Sequence, residues 1–280
     1  MTASNLIQAL KFYRNALTIN RIHSPFYFEL CSYILDLSKE YTGDYKIETH
    51  RNGLLKDKKN ISFKDLGSGS RGKKMPGMTT RTISSIARNA TSPKRKCRLL
   101  RNLVLYFKPK QILELGSNLG IMTAYLHHAS PKTPIISVEG AKPIFEYAQE
   151  TIRQLAINDS VQLFNLDFQT FFRQNKSVID NSDFIYLDGD HSFEGTISYI
   201  RQLWVDAAGL NLKYKVIVID DIYWSVGMTK AWEEICTWEG CNTLDLYQLG
   251  IVIISKSPYQ PKHLKCVTRI AKPWQFGFWG

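Results

Sequence analysis

Apolar positions follow two regimes along the chain. Up to residue 93 they form separate helical stripes. Leu6, Leu10, Tyr13 and Leu17 predict a helix over 4–18, and Phe26, Leu30, Ile34 and Leu37 predict a second one, opened by Ser24 as N-cap and Pro25 as first helical residue. Residues 41–60 are polar and Lys-rich and read as a connector, Ile61–Lys64 makes a poor strand, and 65–77 reads as a basic loop. A short helix carrying Ile83, Ile86 and Ala90 follows. From residue 94 the pattern changes. A helix with Cys97, Leu100, Val104 and Phe107 ends at Lys108-Pro109. Apolar strands are then expected at 111–116, 134–139, 161–166, 183–188 and 214–220. They alternate with helices at 119–129, 141–156, 168–174, 192–208 and 228–239. Residues 243–255 read as two strands joined at Leu249-Gly250. The expected class is α/β, with a doubly wound, mostly parallel seven-stranded sheet that ends in an antiparallel hairpin. A mainly helical extension (1–93) precedes the sheet-forming domain (94–256), and an aromatic tail (257–280) follows it.

Composition narrows the class without naming a chemistry. With 44% hydrophobic and 22% charged residues the chain matches ordinary globular domains. No apolar run reaches the roughly 18 residues that cross a bilayer, and Met1–Asn5 lacks the layout of a signal peptide. The five cysteines, at 31, 97, 236, 241 and 266, are odd in number and contain no C-x-x-C pair. They read as reduced thiols, which places the protein in the cytoplasm. The net charge of +11 is uneven: residues 1–110 hold 22 Lys/Arg against 7 Asp/Glu, and residues 111–280 hold 14 against 18. A basic N-terminal part suits an anionic partner such as RNA or an anionic small molecule, or is simply a solvated surface.

The chemistry collects at the ends of the expected strands, where ligands bind in doubly wound sheets. The first ends I-L-E-L-G-S-N-L-G, residues 112–120. Gly116 permits a tight turn, Gly120 permits a close approach of the helix, and backbone N–H groups there can hold a polar ligand. The second ends in Glu139-Gly140, where an acid can accept two hydrogen bonds from a ribose diol. The third ends in Asp167, the fourth in Asp188 and the fifth in Asp220-Asp221. Packing does not explain acids at five successive strand ends.

The set E-x-G-x-x-x-G, V-E-G, N-L-D-F, L-D-G-D-H and I-D-D, closed by a hairpin, resembles the class I S-adenosylmethionine (SAM)-dependent methyltransferases, a Rossmann-like family. The segments N-R-I-H-S-P-F and D-L-G-S-G-S-R resemble extensions on uncharacterised bacterial methyltransferase-like proteins. The resemblance implies that Glu114, Gly116, Ser117 and Gly120 surround the methionine part of SAM. It implies Glu139, with Gly140, at the ribose, Asp167 near the adenine amino group and Asp188 beside the cofactor. An NAD dehydrogenase would show G-x-G-x-x-G, whereas position 118 is Asn.

Asp188-Gly189-Asp190-His191 is similar to the metal-dependent O-methyltransferases of small molecules and sugars. By that resemblance Asp188, Asp220 and Asp221 would hold Mg²⁺ and His191 would be the general base. All-oxygen ligands suit that ion. The alternative has Asp188 touching SAM only, Asp221 in solvent and His191 capping helix 192–208. Loop 222–228, with Tyr223 and Trp224, is expected to wall an acceptor site, and Arg81 and Arg88 to clamp an anionic acceptor or lie in solvent. The tail Trp274–Trp279 is expected to cover core or meet a second subunit. Three functions fit: a small-molecule or sugar O-methyltransferase, an RNA methyltransferase guided by the basic region, and a SAM-binding protein without turnover.

Overall fold

The computed structural model describes residues 3–64, 77–205, 213–256, 259–268 and 271–272, with side chains from residue 8. The tail at Trp274–Trp279 and nearly all of the loop expected at 65–77 lie outside the described residues. Contact divides the chain elsewhere than at 93 and 256: one compact unit is Asp36–Asp190, the other joins Met1–Leu35 to His191–Gly280.

In the Asp36–Asp190 unit, four strands run in the order β7-β4-β5-β6: β4 is Ile112–Leu115, β5 Ile135–Val138, β6 Val161–Phe164 and β7 Phe184–Leu187. Every pairing is parallel, as the strand–helix alternation requires. β4, β5 and β7 are buried along their whole length, whereas edge strand β6 is only half-buried. The connecting helices are α5 (Lys94–Phe107), α6 (Ile121–Ala129), α7 (Lys142–Gln154) and α8 (Phe168–Gln174), close to their expected spans. A further short helix, α9 (Lys176–Asn181), was not expected.

Two expectations fail in this unit. Residues 41–60 are not a connector: α3 spans Thr42–Leu54. Its buried stripe is Asp44, Ile47, Arg51 and Leu54, at helical spacing but half charged, so the apolar period is hidden. Asp44 binds Arg101, wholly buried on α5, and lies 3.0 Å from Arg98. The Arg51 guanidinium donates to Glu48 at 3.1 Å and to the Ser92 carbonyl at 2.8 Å. Paired charges are tolerated inside where lone ones are not. Residues Asn60–Lys64 do form a strand, β2, antiparallel to β3 (Met78–Thr82). Ile61 and Phe63 point inward with a period of two, and polar neighbours had masked them. The short helix α4 (Ile83–Asn89) then starts on a Thr82 cap that accepts from the Ser85 N–H.

In the other unit the strand order is β1-β11-β9-β10-β8, with β1 Leu17–Thr18, β8 Lys215–Asp220, β9 Cys241–Asp245, β10 Leu249–Ile254 and β11 His263–Val267. β10 is antiparallel to β8 and β9, which is the expected hairpin. Its turn is Leu246–Gln248 rather than Leu249-Gly250, because both of those residues pair within β10. The strands β1 and β11 were not expected. Helices α1 (Ala3–Asn15), α2 (Pro25–Ile34), α10 (Phe193–Leu203) and α11 (Val226–Thr237) complete the unit. α10 stops at Leu203, so Trp204 lies outside it, and α2 stops before Leu37.

Candidate active site

The turn after β4 is built from backbone. Gly116, Asn118 and Gly120 all have positive φ, at 108°, 48° and 79°. A side chain at Gly116 would bring its Cβ within 2.1 Å of the Asp188 carbonyl oxygen. One at Gly120 would stand 3.2 Å from the Ala148 carbonyl of α7. Gly116 thus makes the tight turn expected of it, and the helix that Gly120 lets approach is α7. The N–H groups of Gly116 and Ser117 both donate to the Val138 carbonyl, at 2.9 and 3.1 Å. α6 begins directly after Gly120, so its N-terminus faces the turn.

The acids around this turn differ in environment. Glu139 is half-buried and rigidly held: Oε2 accepts from the Asn118 N–H at 3.0 Å and Oε1 from the Ala141 N–H at 2.9 Å. The Gly140 carbonyl accepts from Asn165 Nδ2 at 3.2 Å. Asp188 Oδ2 accepts from the Tyr186 hydroxyl at 3.0 Å, and its own N–H donates to the Leu115 carbonyl. Asp167 is exposed and caps α8, accepting from the Thr170 N–H at 2.9 Å and hydroxyl at 2.7 Å, and these bonds hold its carboxyl below the usual range.

Glu114 is wholly buried. Oε2 accepts from the hydroxyls of Thr123 and Ser137, while Oε1 is buried without a partner. Burial pushes its carboxyl up to about 7. Ser117 and Ser137 share a hydrogen bond of 2.6 Å between their hydroxyls. Sequence reasoning missed Asn118, Ser137 and Tyr186. Ser137 carries a signal, as the one polar residue in an otherwise apolar strand.

The unit that includes His191–Gly280 holds the remaining candidates. His191 is half-buried, and α10 is capped by Ser192, whose hydroxyl accepts from the Gly195 N–H at 3.1 Å. The cap considered for His191 is therefore made by its neighbour. Asp220 ends β8 at 2% exposure, opposite Leu249. Asp221 is left-handed, at φ 49°; its N–H donates to the Gln248 carbonyl, and its carbonyl accepts from the Trp224 N–H, both at 2.8 Å. Beyond this turn lies a network the sequence did not announce. The buried Asp245 carboxylate accepts from the Tyr223 hydroxyl at 2.5 Å and Trp232 Nε1 at 3.3 Å, and Lys265 Nζ stands 3.7 Å away. Tyr223 also stacks on Tyr247, with Phe12 of α1 edge-on to it. Among the described residues, no three His, Cys, Asp or Glu side chains gather into a group that could hold a metal ion.

Solved structures share this architecture. An O-methyltransferase from Bacillus cereus, in complex with S-adenosylhomocysteine (SAH), is 17% identical. The match covers 81% of this chain and 97% of that one, with a TM-score of 0.54. The fold is that of the O-methyltransferases. The same fold is found in the SAH-bound methyltransferase PaMTH1 of Podospora anserina, at 14% identity, 84% and 97% coverage and TM-score 0.55. The O-methyltransferase TomG of Streptomyces achromogenes, involved in tomaymycin synthesis and in complex with SAM, matches at 12% identity, 84% and 100% coverage and TM-score 0.50. No protein-family model and no curated protein sequence matches the chain. At these identities the likeness establishes the methyltransferase fold. No helix among the described residues is long and apolar enough to cross a membrane.

Proposed function

We propose that the chain binds SAM at the turn after β4 and transfers its methyl group to a hydroxyl of a small molecule or sugar. The observation that carries this reading is the Glu139 carboxylate, fixed by the Asn118 and Ala141 N–H groups beside a turn of three left-handed residues. A carboxylate held that way is pre-organised to accept from a ribose diol. The start of α6 offers backbone donors to the methionine carboxylate. Bound SAM supplies a methyl group on a positively charged sulfur, which is already a good leaving group. The chain must then orient the acceptor and take up its proton, and His191 is the residue assigned to that proton. The oxygen acceptor is supported by the O-methyltransferase neighbours.

Saturating SAM or SAH should raise the melting temperature and NAD should not. Ligand at a hundredfold over Kd stabilises by about 2.7 kcal/mol. Glu139→Ala should weaken SAM binding roughly tenfold or more, the worth of hydrogen bonds to a charged acceptor. Stabilisation by NAD with none by SAM would sink the assignment. Magnesium, expected at Asp188, Asp220 and Asp221, supplies no step here, and no three-acid group that could hold it gathers among the described residues. A requirement for it predicts turnover that is lost in EDTA and restored by Mg²⁺, and full turnover in EDTA rejects it while leaving the SAM assignment standing.

A further inference from the structure

The proposed chemistry makes no use of the charge on Glu114. Its carboxyl is linked to the cofactor turn by an unbroken hydroxyl chain: Glu114 Oε2, Ser137 Oγ at 2.6 Å, then Ser117 Oγ a further 2.6 Å on. Thr123 of α6 completes the donors to Oε2 at 2.5 Å. Both donors are neutral, and Oε1 is buried with nothing bonded to it. An ionised oxygen without a donor is costly in such surroundings, so the proton belongs on Oε1 in the empty protein. Burial raises this carboxyl to about 7, the Ser137 and Thr123 bonds oppose the rise, and the charge of Glu139 adds to it.

The titratable groups on the elements around Glu114 are few. β5 contributes Glu139, and β7 contributes Tyr186, the register partner of Glu114, with Asp188 beyond it. α6 carries Tyr125, His127 and His128 beyond Thr123. Burial lowers both histidines, so neither supplies a fixed positive charge near neutral pH.

We propose that SAM binding expels the proton of Glu114, so that the cofactor is held by the ionised carboxylate and its affinity rises with pH. The inference rests on the SAM assignment above. SAM carries a sulfonium and an ammonium against one carboxylate, a net charge of +1. A cation at the turn acts on a wholly buried carboxyl through a poorly screening interior and needs no direct contact. The O–H bond of Glu114 breaks, the proton passes to solvent, and the electron pair stays on Oε1 as the charge that faces the cofactor's field. The sign is fixed by linkage: affinity falls as pH drops below the empty protein's value near 7 and is constant above it. SAH, which lacks the sulfonium charge, expels less.

Calorimetric titration of the full chain with SAM from pH 5.5 to 8.5, in buffers of different ionisation heat, tests this. Affinity should climb roughly threefold to tenfold per pH unit between 6 and 7 and then level off, with up to about one proton released per SAM. SAH should show a shallower slope, and Glu114→Gln should show none. A flat wild-type profile, or an unchanged slope in Glu114→Gln, overturns the inference alone. No SAM binding at any pH overturns it together with the proposed function. Should the Gln variant fail to fold, carboxyl NMR of ¹³C-glutamate-labelled wild type decides. A glutamate titrating near 7 that moves down on adding SAM supports the inference, and its absence overturns it.

Discussion

The ends of β4 and β8 solve similar problems with different materials. After β4 the chain turns on backbone: Gly116, Asn118 and Gly120 are left-handed, and the Gly116 position has no room for a side chain. After β8 only Asp221 is left-handed, and the loop is held by side chains, with Tyr223 and Trp232 bonded to the buried Asp245 and Lys265 alongside. The first end is specified by what is missing from its residues, the second by partners far along the chain. A backbone turn tolerates almost no substitution at its glycines but leaves side chains free for a ligand. A side-chain network can lose members one at a time, each at its own cost.

The sharpest break of this comparison is Gly116→Val. Strain at φ 108° and a Cβ 2.1 Å from a backbone oxygen should together cost about 4 kcal/mol and abolish SAM binding. A stable variant with wild-type SAM affinity would show that the turn is not the cofactor's. Next comes Asp245→Ala, which leaves Lys265 and the Tyr223 hydroxyl without their carboxylate. It should cost about 3 kcal/mol in denaturant unfolding and leave SAM affinity unchanged. A large loss of SAM binding would instead tie that network to the cofactor. Tyr223→Phe removes the hydroxyl that donates to Asp245 and accepts from Lys265 at 3.3 Å, and should cost about 1–2 kcal/mol. The smallest effect, about 1 kcal/mol, is expected for Asp167→Ala, which deletes the α8 cap. Asp167→Ser restores a cap without a carboxylate. If Asp167 also reads the adenine amino group, SAM affinity falls in both variants while stability recovers only in the second.

Strand and helix order from residue 94 onward was legible because apolar period and length agree there. β4, β5, β7 and β8 are buried throughout, and no charge but Glu114, Lys215 and Asp220 interrupts them. The N-terminal part was less legible for the opposite reason. α3 buries Asp44 and Arg51 on its inner face, and a buried ion pair looks like solvent-facing sequence until its partner Arg101, 57 residues away, is placed beside it. β11 has the same difficulty. Its five residues hold two buried side chains, Leu264 and Cys266, and are a strand because β9 and β1 pair with them.

At the candidate site the division follows the same physics. The sequence by itself determined the glycines of the turn and the acids that close the strands, because positive φ and strand-end carboxylates each demand particular residue types. It could not determine what those acids do. Glu114, Glu139, Asp167 and Asp188 share a carboxyl group, yet one is buried with a bare oxygen, one is clamped by two N–H groups, one caps a helix and one holds a tyrosine hydroxyl. Only the tertiary structure decided among these roles, since a carboxylate's pKa and free lone pairs depend on neighbours brought together by the fold and not on its place in the chain.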